Sequence, residues 1–502
     1  MKNVLELLER SAEQAPCHPA FFDDGRAVSY QTLMQEAQAI GSALLSLSAE
    51  RKPVAILMEK SARCISAMFG ILYCGAFYVV MDPDMPADRM EKIFRVLSPA
   101  AILAEQSCKE HLEYLAFAGP VYYYEDIVDT PVDHQGLSSI RARSIDTDAA
   151  YALFTSGSTG LPKGTVVCHR SILAYSQWVT GTFHIDSETI FGNQAPLYFS
   201  MSVLDIYGAL RAGSSVCLIP RKLFAFPVRL LEYIRDCHIN TIYWVPSALC
   251  LVTGWKALDY VQVPELRKIL FAGEVMSVKH LNLWRSHLPD AYFANLYGPT
   301  EVTDICSFYE VNRYFNEGES IPIGRACDNC GLLVLTDEGR EAGPDEEGEL
   351  CVRGSFLAMG YYNDPEKTAK VFVQNPLNPH YPELIYKTGD LVRYNERGEL
   401  LYIGRKDSQI KRMGYRIELG EIEAAADTLK DIKCCACIYD EKNGDLCLFY
   451  EGRAEEEPLR HALSRRLPHY MLPSRLFRLK CLPHNANGKI DRLALRKAYQ
   501  KG

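Results

Sequence analysis

Apolar positions along the chain follow two spacings. From Val4 to Ala15 and from Met34 to Leu47 they recur at helical intervals, which predicts amphipathic helices. Val54 to Met58 (VAILM) is instead a short unbroken apolar run, the pattern of a strand buried on both faces of a parallel sheet. The longest apolar stretch, Ala67 to Met81, contains Gly70 and Gly75 and is too short to cross a bilayer; it reads as a buried strand–turn segment. A second alternation covers 185–300. Ser214–Ile219, Thr241–Val245, Lys268–Ala272 and Tyr292–Leu296 are strand-like, with helical stretches between them. Strands alternating with helices predict α/β sheets covered on both faces. After Ile321 short strands and glycine turns dominate and predict a small β-rich unit. From Asp407 onward the pattern is a compact α+β segment, with the boundary at Gly404-Arg-Lys-Asp407.

Length and charge narrow the classes. The 502 residues leave room for several domains at roughly 100–200 residues each. A net charge of −9 argues against a general nucleic-acid binder but leaves room for a local anion pocket. The N-terminus is acidic and amphipathic rather than a basic start followed by an apolar run, so it is not read as a secretory signal. A cytoplasmic location is expected. The 17 cysteines are odd in number and scattered through core-like segments, which reads as free thiols. Two Cys-x-x-Cys spacings, Cys327–Cys330 and Cys434–Cys437, are expected to be small buried hydrophobes rather than a zinc site.

Four motifs carry candidate chemistry. Thr155-Ser156-Gly157-Ser158-Thr159-Gly160-Leu-Pro-Lys163-Gly164 packs three glycines, four hydroxyl residues and a lysine into ten positions. Glycines let backbone N–H groups approach phosphate oxygens, and the lysine neutralises their charge. The string is not a Walker A loop, which ends in Gly-Lys-Ser/Thr. Asn295-Leu-Tyr297-Gly298-Pro-Thr300-Glu301 supplies a flat ring for a base and oxygen ligands for a hard cation. Tyr386-Lys-Thr-Gly-Asp390 sets a carboxylate behind a turn, an acceptor pair for two ribose hydroxyls. Asn487-Gly-Lys489 ends the set with a lysine behind a glycine turn.

Together with the long string Gly404 to Glu423 (GRKDSQIKRMGYRIELGEIE), these motifs resemble the adenylate-forming enzymes: acyl-CoA synthetases, luciferases and the amino-acid adenylation domains of non-ribosomal peptide synthetases. The matches run in the family's order from residue 28 (VSYQTL) to 495. The resemblance implies an α/β fold. A large N-terminal domain (1–405) would hold two stacked α/β subdomains and a small β-barrel, followed by a small mobile α+β C-terminal domain (406–502). It implies an ATP-dependent ligase that converts a small carboxylic acid to acyl-AMP, releases pyrophosphate and passes the acyl group to a thiol, with ATP and Mg2+ as cofactors. By this carry-over Lys489, Glu301 and Thr155 are catalytic, with Glu301 also the metal ligand. Thr155 to Gly160 and Lys163 hold phosphates. Gly273, Glu274, Asn295, Tyr297, Gly298 and Thr300 surround the adenine and magnesium. Asp390 and Arg405 hold the ribose and α-phosphate, Asp407 is the hinge, and Gly414 lies where the thiol arm passes.

The segment Asn193–Leu210 and the string GYRIELGEIE are similar to amino-acid adenylating members, especially the stand-alone D-alanine–carrier protein ligases. That implies phosphopantetheine on a carrier protein supplied in trans as acceptor, with coenzyme A the alternative and a catalytically silent nucleotide-binding interaction protein the contrasting class. The expected acyl pocket comprises Ser200, Met201, Leu204, Trp244, Leu270, Ala272, Leu296, Asp304 and Ile305. One departure stands out. Amino-acid activating members carry aspartate after the phenylalanine of this segment, to pair the substrate's ammonium, and here Ser200 follows Phe199. Asp304 is the one acid in the expected pocket. It is either a relocated partner for an amine or a capping or surface aspartate behind the Gly-Pro turn. No nucleic-acid partner and no membrane span are expected.

Overall fold

The computed structural model describes residues 1–113, 115, 117–157, 161–316, 318–407, 409–440, 443–483 and 490–501. Ser158, Thr159, Gly160 and Lys489 lie outside the described residues.

Two large sheets carry the first 326 residues. A seven-stranded sheet is centred on the parallel strands Pro53–Leu57, Phe77–Met81 and Ala101–Ala104, every residue of which is buried. A nine-stranded sheet places Ile190–Asn193, Ser215–Leu218, Thr241–Trp244, Lys268–Ala272 and Tyr292–Tyr297 in one parallel run, with antiparallel strands at both edges. The unbroken apolar runs of these strands follow from burial on both faces. A five-stranded antiparallel sheet follows, built from Cys330–Leu335, Gly348–Gly354, Phe372–Gln374, Leu384–Tyr394 and Leu400–Arg405.

The stretch Ala67–Met81 differs from its expected strand–turn reading. Its first half completes a helix, Ala62–Tyr73, started by Ser61, whose side chain accepts the Cys64 N–H. Gly75, at φ +78°, ends the helix, and only Phe77–Met81 is strand. The helix is buried on nearly all sides, which erases the polar stripe that marks a helix in sequence. Gly70 serves that packing: a Cβ there would meet the Ile40 side chain at 2.4 Å.

Beyond residue 405 a two-stranded hairpin, Gln409–Arg412 with Tyr415–Glu418, leads into a three-stranded sheet flanked by the helices Leu419–Asp427, Glu456–Ser464 and Arg492–Lys501. This part has its own apolar clusters, around Ile417, Ile422, Leu448 and Leu463 and around Ala436, Phe449 and Leu495. The main cluster of the large part runs from Val4 to Leu400. Two buried groups join the parts: Arg89 pairs with Glu421, and Arg89 Nη1 also reaches Met471 Sδ at 3.6 Å. All 17 cysteines are free, and no group of three metal-ligating side chains gathers among the described residues. Among those residues no helix is long and apolar enough to cross a membrane.

Candidate active site

The phosphate-type loop connects two paired strands. Ala149–Thr155 leads in, Lys163–Cys168 leads out, and Thr155 stands opposite Lys163 in antiparallel register. Gly157 has no room for a side chain, since a Cβ would lie 2.1 Å from the Leu161 carbonyl oxygen. Lys163 Nζ donates to Glu301 Oε1 and to the Tyr361 hydroxyl, both at 3.1 Å. Glu301 is fully buried, accepts from Tyr361 at 2.7 Å, and is gripped on its other oxygen by Arg416 Nη1 at 2.6 Å. Burial alone pushes the Glu301 carboxyl up, but Arg416 and Lys163 more than offset that and hold it well below the ordinary carboxylate range. Burial, with Arg416 close by, pulls Lys163 down.

The expected ribose group is also assembled. Asp390 is buried and both its oxygens are engaged: Tyr297 donates to Oδ2, and Arg405 Nη1 to Oδ1 at 2.6 Å. Arg405 then spans to Asp407 through Nε at 2.7 Å and Nη2 at 2.9 Å, so Asp407 is fastened to the large part while it starts the hairpin. Lys411 Nζ lies 5.3 Å over the Tyr297 ring, the face a base would use. Gly298 is obligatory, because a Cβ there would meet the Asp304 carbonyl oxygen at 2.1 Å. Thr300 reaches the cleft, and its Oγ1 lies 3.5 Å from Ser200 Oγ.

Two residues expected around the base are used otherwise. Asn295 donates to the Pro322 carbonyl and is buried in the sheet. Glu274 accepts from Ser247 N–H at 3.0 Å and from Gly414 N–H at 3.1 Å, tying a helix start to the hairpin tip. Gly273 and Gly414 meet there: a Cβ on Gly273 would lie 3.9 Å from Gly414 Cα, and one on Gly414 only 2.6 Å from Val245.

Of the expected acyl pocket, Ser200, Met201, Ala272, Asp304 and Ile305 line the cleft. Leu204, Trp244, Leu270 and Leu296 lie in the core behind it. Trp244 is the clearest correction. Its indole N–H donates to the Gly192 carbonyl and its ring packs on Phe224, while the neighbouring Tyr243 faces the pocket. Side chains alternate along a strand, so a one-residue offset exchanges the two faces. Asp304 is not a surface cap: it is 2% exposed, and its Oδ2 accepts from Tyr175 at 2.7 Å and Tyr243 at 3.1 Å.

The sequence reading did not single out Arg416, Lys411, Tyr361 or Tyr243. Nothing local marks them; each acquires its place only when the hairpin and strands come together. With the hairpin seated, the open volume of the cleft is about 90 Å³. Tyr415 closes the acyl side, edge-on to Phe199 at 4.7 Å and stacked on Tyr470 at 3.7 Å. Thr155 Oγ1 and Arg416 Nε are buried there with no partner among the described residues. An unpaired hydroxyl and two cations around one carboxylate suit an anionic ligand with a divalent ion, since such ions are held by one or two carboxylates together with substrate phosphates.

The site therefore has the parts of a nucleotide-dependent enzyme: a phosphate-type loop, a ribose-type carboxylate and a separate acyl chamber. A family profile described as AMP-binding enzyme matches residues 8–362, and the chain belongs to that family. It is 33% identical over 99% of its length to an L-proline–[L-prolyl-carrier protein] ligase of Pseudomonas fluorescens, of which it also covers 99%. It is 33% identical to tyrocidine synthase 3 of Brevibacillus parabrevis over 98% of its length, spanning 8% of that much longer protein. Among solved structures, holo-PA1221, described as an NRPS protein with adenylation and PCP domains bound to a vinylsulfonamide inhibitor, superposes with TM-score 0.82 at 28% identity, covering 99% of this chain and 84% of that one. IdnL1 gives 0.82 at 27% identity, covering 96% and 99%.

Proposed function

We propose that this chain activates a small carboxylic acid with ATP, forming acyl-AMP and pyrophosphate, and then transfers the acyl group to the phosphopantetheine thiol of a carrier protein. The observation that carries this reading is the convergence of Thr155, Asp390, Arg405 and Arg416 on one cleft, with Lys163 and Glu301 paired directly behind Arg416, that also opens into a chamber lined by Ser200, Met201, Ala272 and Ile305. A site for a nucleotide alone needs no such chamber. The family membership and the carrier protein ligase similar along its full length support the same chemistry.

In the first step a substrate carboxylate oxygen bonds to the α-phosphorus and the bond to the β-phosphate oxygen breaks. Lys163 neutralises phosphate charge, Thr155 Oγ1 donates to a phosphate oxygen, and Asp390 with Arg405 fixes the ribose and α-phosphate. Such fixed groups act by alignment and charge stabilisation. Mg2+ held by Glu301 would supply charge neutralisation for the leaving pyrophosphate. Lys489 is assigned to the substrate carboxylate on its motif. In the second step the thiol attacks the acyl carbonyl and AMP leaves.

With Arg416 on Glu301 the seated hairpin occupies the side of the cleft assigned to the metal, and withdrawal of residues 409–418 would open that side to ATP with its magnesium. Rotation of residues 406–502 about Asp407 provides that movement. The seated arrangement, with Gly414 against Gly273 and Val245, suits the thiol step, where the acceptor arm passes the hairpin tip.

Carboxylate-dependent ATP–pyrophosphate exchange over amino, hydroxy and simple acids tests the reading. Exchange with at least one acid is expected, followed by acyl transfer to a holo-carrier protein in preference to coenzyme A. Absence of exchange with every acid would leave a silent nucleotide-binding protein, and efficient transfer to free coenzyme A would make the chain an acyl-CoA ligase.

A further inference from the structure

We propose that Asp304 is the anchor for a protonated amine on the substrate, and that this amine lies further from the activated carboxylate than the α-position, as in a β- or longer amino acid. The inference rests on the carboxylate-activating reading above and names the substrate class of that site.

Asp304 is built into place at some cost. Thr303, a β-branched residue, adopts φ +71° and ψ −58°, a strained γ-turn closed by the Asp304 N–H on the Val302 carbonyl at 2.8 Å and costing about 1–3 kcal/mol, and its hydroxyl is tied to the Phe356 carbonyl at 2.8 Å. That backbone turns Asp304 to the cleft wall. Two tyrosines from separate elements, Tyr175 on the helix His169–Thr182 and Tyr243 on the strand Thr241–Trp244, hold its Oδ2 from behind, and the Ser200 hydroxyl lies beside the carboxyl on the cleft side. A carboxylate offers about four acceptor positions. The two tyrosines fill those of Oδ2, which leaves Oδ1 for a ligand N–H.

Its surroundings contain no compensating charge. Burial raises the Asp304 carboxyl to about 7, three hydroxyls oppose that, and the charged neighbour is another acid, Asp205. Asp205 is itself held by Asn193 at 2.8 Å. No lysine, arginine or histidine among the described residues forms an ion pair with Asp304. A buried carboxylate of this kind ionises only beside a cation, and the open side of the site is where a substrate enters.

The hydrogen-bond order sets the distance. Thr300 belongs to the Gly-Pro turn that follows Tyr297, on the nucleotide side. Its Oγ1 lies 3.5 Å from Ser200 Oγ, Ser200 and Asp304 stand side by side on the cleft wall, and Asp304 leads to Tyr175 and Tyr243 in the core. Asp304 is thus one side chain deeper than Ser200, and an amine it holds is displaced from the carboxylate by the same sense. Met201 and Tyr243 limit the chamber to short chains.

Exchange kinetics on matched sets test this: alanine, β-alanine, 3-hydroxypropionate and propionate, with the 3-aminobutyrate and 4-aminobutyrate sets beside them. The amine-displaced isomer is expected to exceed its α-amino and amine-free counterparts at least tenfold in kcat/KM. Asp304→Asn should erase that preference, lowering the favoured acid about thirtyfold while changing the amine-free acid less than threefold. Calorimetric titration of the same acids without ATP should show the same order. If Asp304→Asn does not fold by circular dichroism, Tyr243→Phe is expected to reduce the preference three- to tenfold. A preference for an α-amino, hydroxy or amine-free acid overturns the proposal while leaving carboxylate activation intact. Exchange with no acid overturns both.

Discussion

Arg416 Nη1 donates to Glu301 Oε2 at 2.6 Å, so the carboxylate assigned to a divalent ion is held here by an arginine of the C-terminal hairpin. Arg416, Lys163 and Tyr361 fill three of the roughly four acceptor positions of this carboxylate. In the proposed cycle, withdrawal of the hairpin would free Oε2 for the metal, and its return would put a guanidinium in the place of the metal's charge. Replacing Arg416 with methionine removes one of two cations around a fully buried acid and leaves Lys163 to hold it. Hydrogen exchange of residues 409–418 is expected to rise at least tenfold in this variant, and in the native protein on adding magnesium and ATP. Unchanged protection in both cases would contradict the exchange of partners.

The Arg89–Glu421 pair is buried on both sides and spans the two parts of the chain. Glu421→Gln leaves Arg89 desolvated and unpaired, and breaking such a pair costs about 3–5 kcal/mol. The seated arrangement should loosen first. Limited proteolysis near 406–408 is expected to speed up severalfold, with the unfolding of the large part little changed.

The Asp390 carboxylate accepts from Tyr297 and Arg405, and in the proposed complex a ribose hydroxyl would take the place of one of these donors. A hydrogen bond to a charged group contributes about 1.5–3 kcal/mol, so Asp390→Ala should weaken ATP binding by one to two orders of magnitude. Equilibrium dialysis checks this, and 2′,3′-dideoxy-ATP should bind the native protein with a comparable loss.

Gly414 has φ +80° and no space for a Cβ beside Val245. Gly414→Ala obstructs seating of the hairpin and leaves the withdrawn state free. Thiol transfer should fall at least tenfold while pyrophosphate exchange changes less than twofold, read in separate half-reaction assays.

The pH dependence follows from Asp304. Its carboxyl is raised from 3.8 to about 7 by burial, so between those values the folded state keeps a proton that the unfolded state has lost. Stability from this group is present at pH 4 and decreases as pH rises to 7, with a slope of at most about 1.4 kcal/mol per unit. Chemical denaturation across that range should show the native protein losing stability relative to Asp304→Asn as pH rises. A native protein that gains stability relative to the variant would reverse the assignment.

The strands at Thr241, Lys268 and Tyr292 were legible because burial on both faces leaves continuous apolar runs. Lys163, Glu301 and Asp390 were legible as motifs because each lies close in sequence to a glycine with a steric or positive-φ reason to be there, Gly157, Gly298 and Gly389. The helix at 62–73 was not, since complete burial removes its polar face. Tyr243 was missed by one residue, because an apolar strand with no polar side gives no phase. Arg416 and Lys411 were unreadable for a different reason: their partners, Glu301 and Tyr297, are distant in sequence and meet them only through the docking of the hairpin.

The central claim is that the acid is activated through its own oxygen on the α-phosphorus. The direct measurement uses a carboxylate labelled with oxygen-18, ATP and a holo-carrier protein, followed by mass spectrometry of the nucleotide products. One label per turnover is expected in AMP, with none in pyrophosphate. Label in inorganic phosphate, with ADP as the nucleotide, would contradict an acyl-AMP and indicate an acyl phosphate instead.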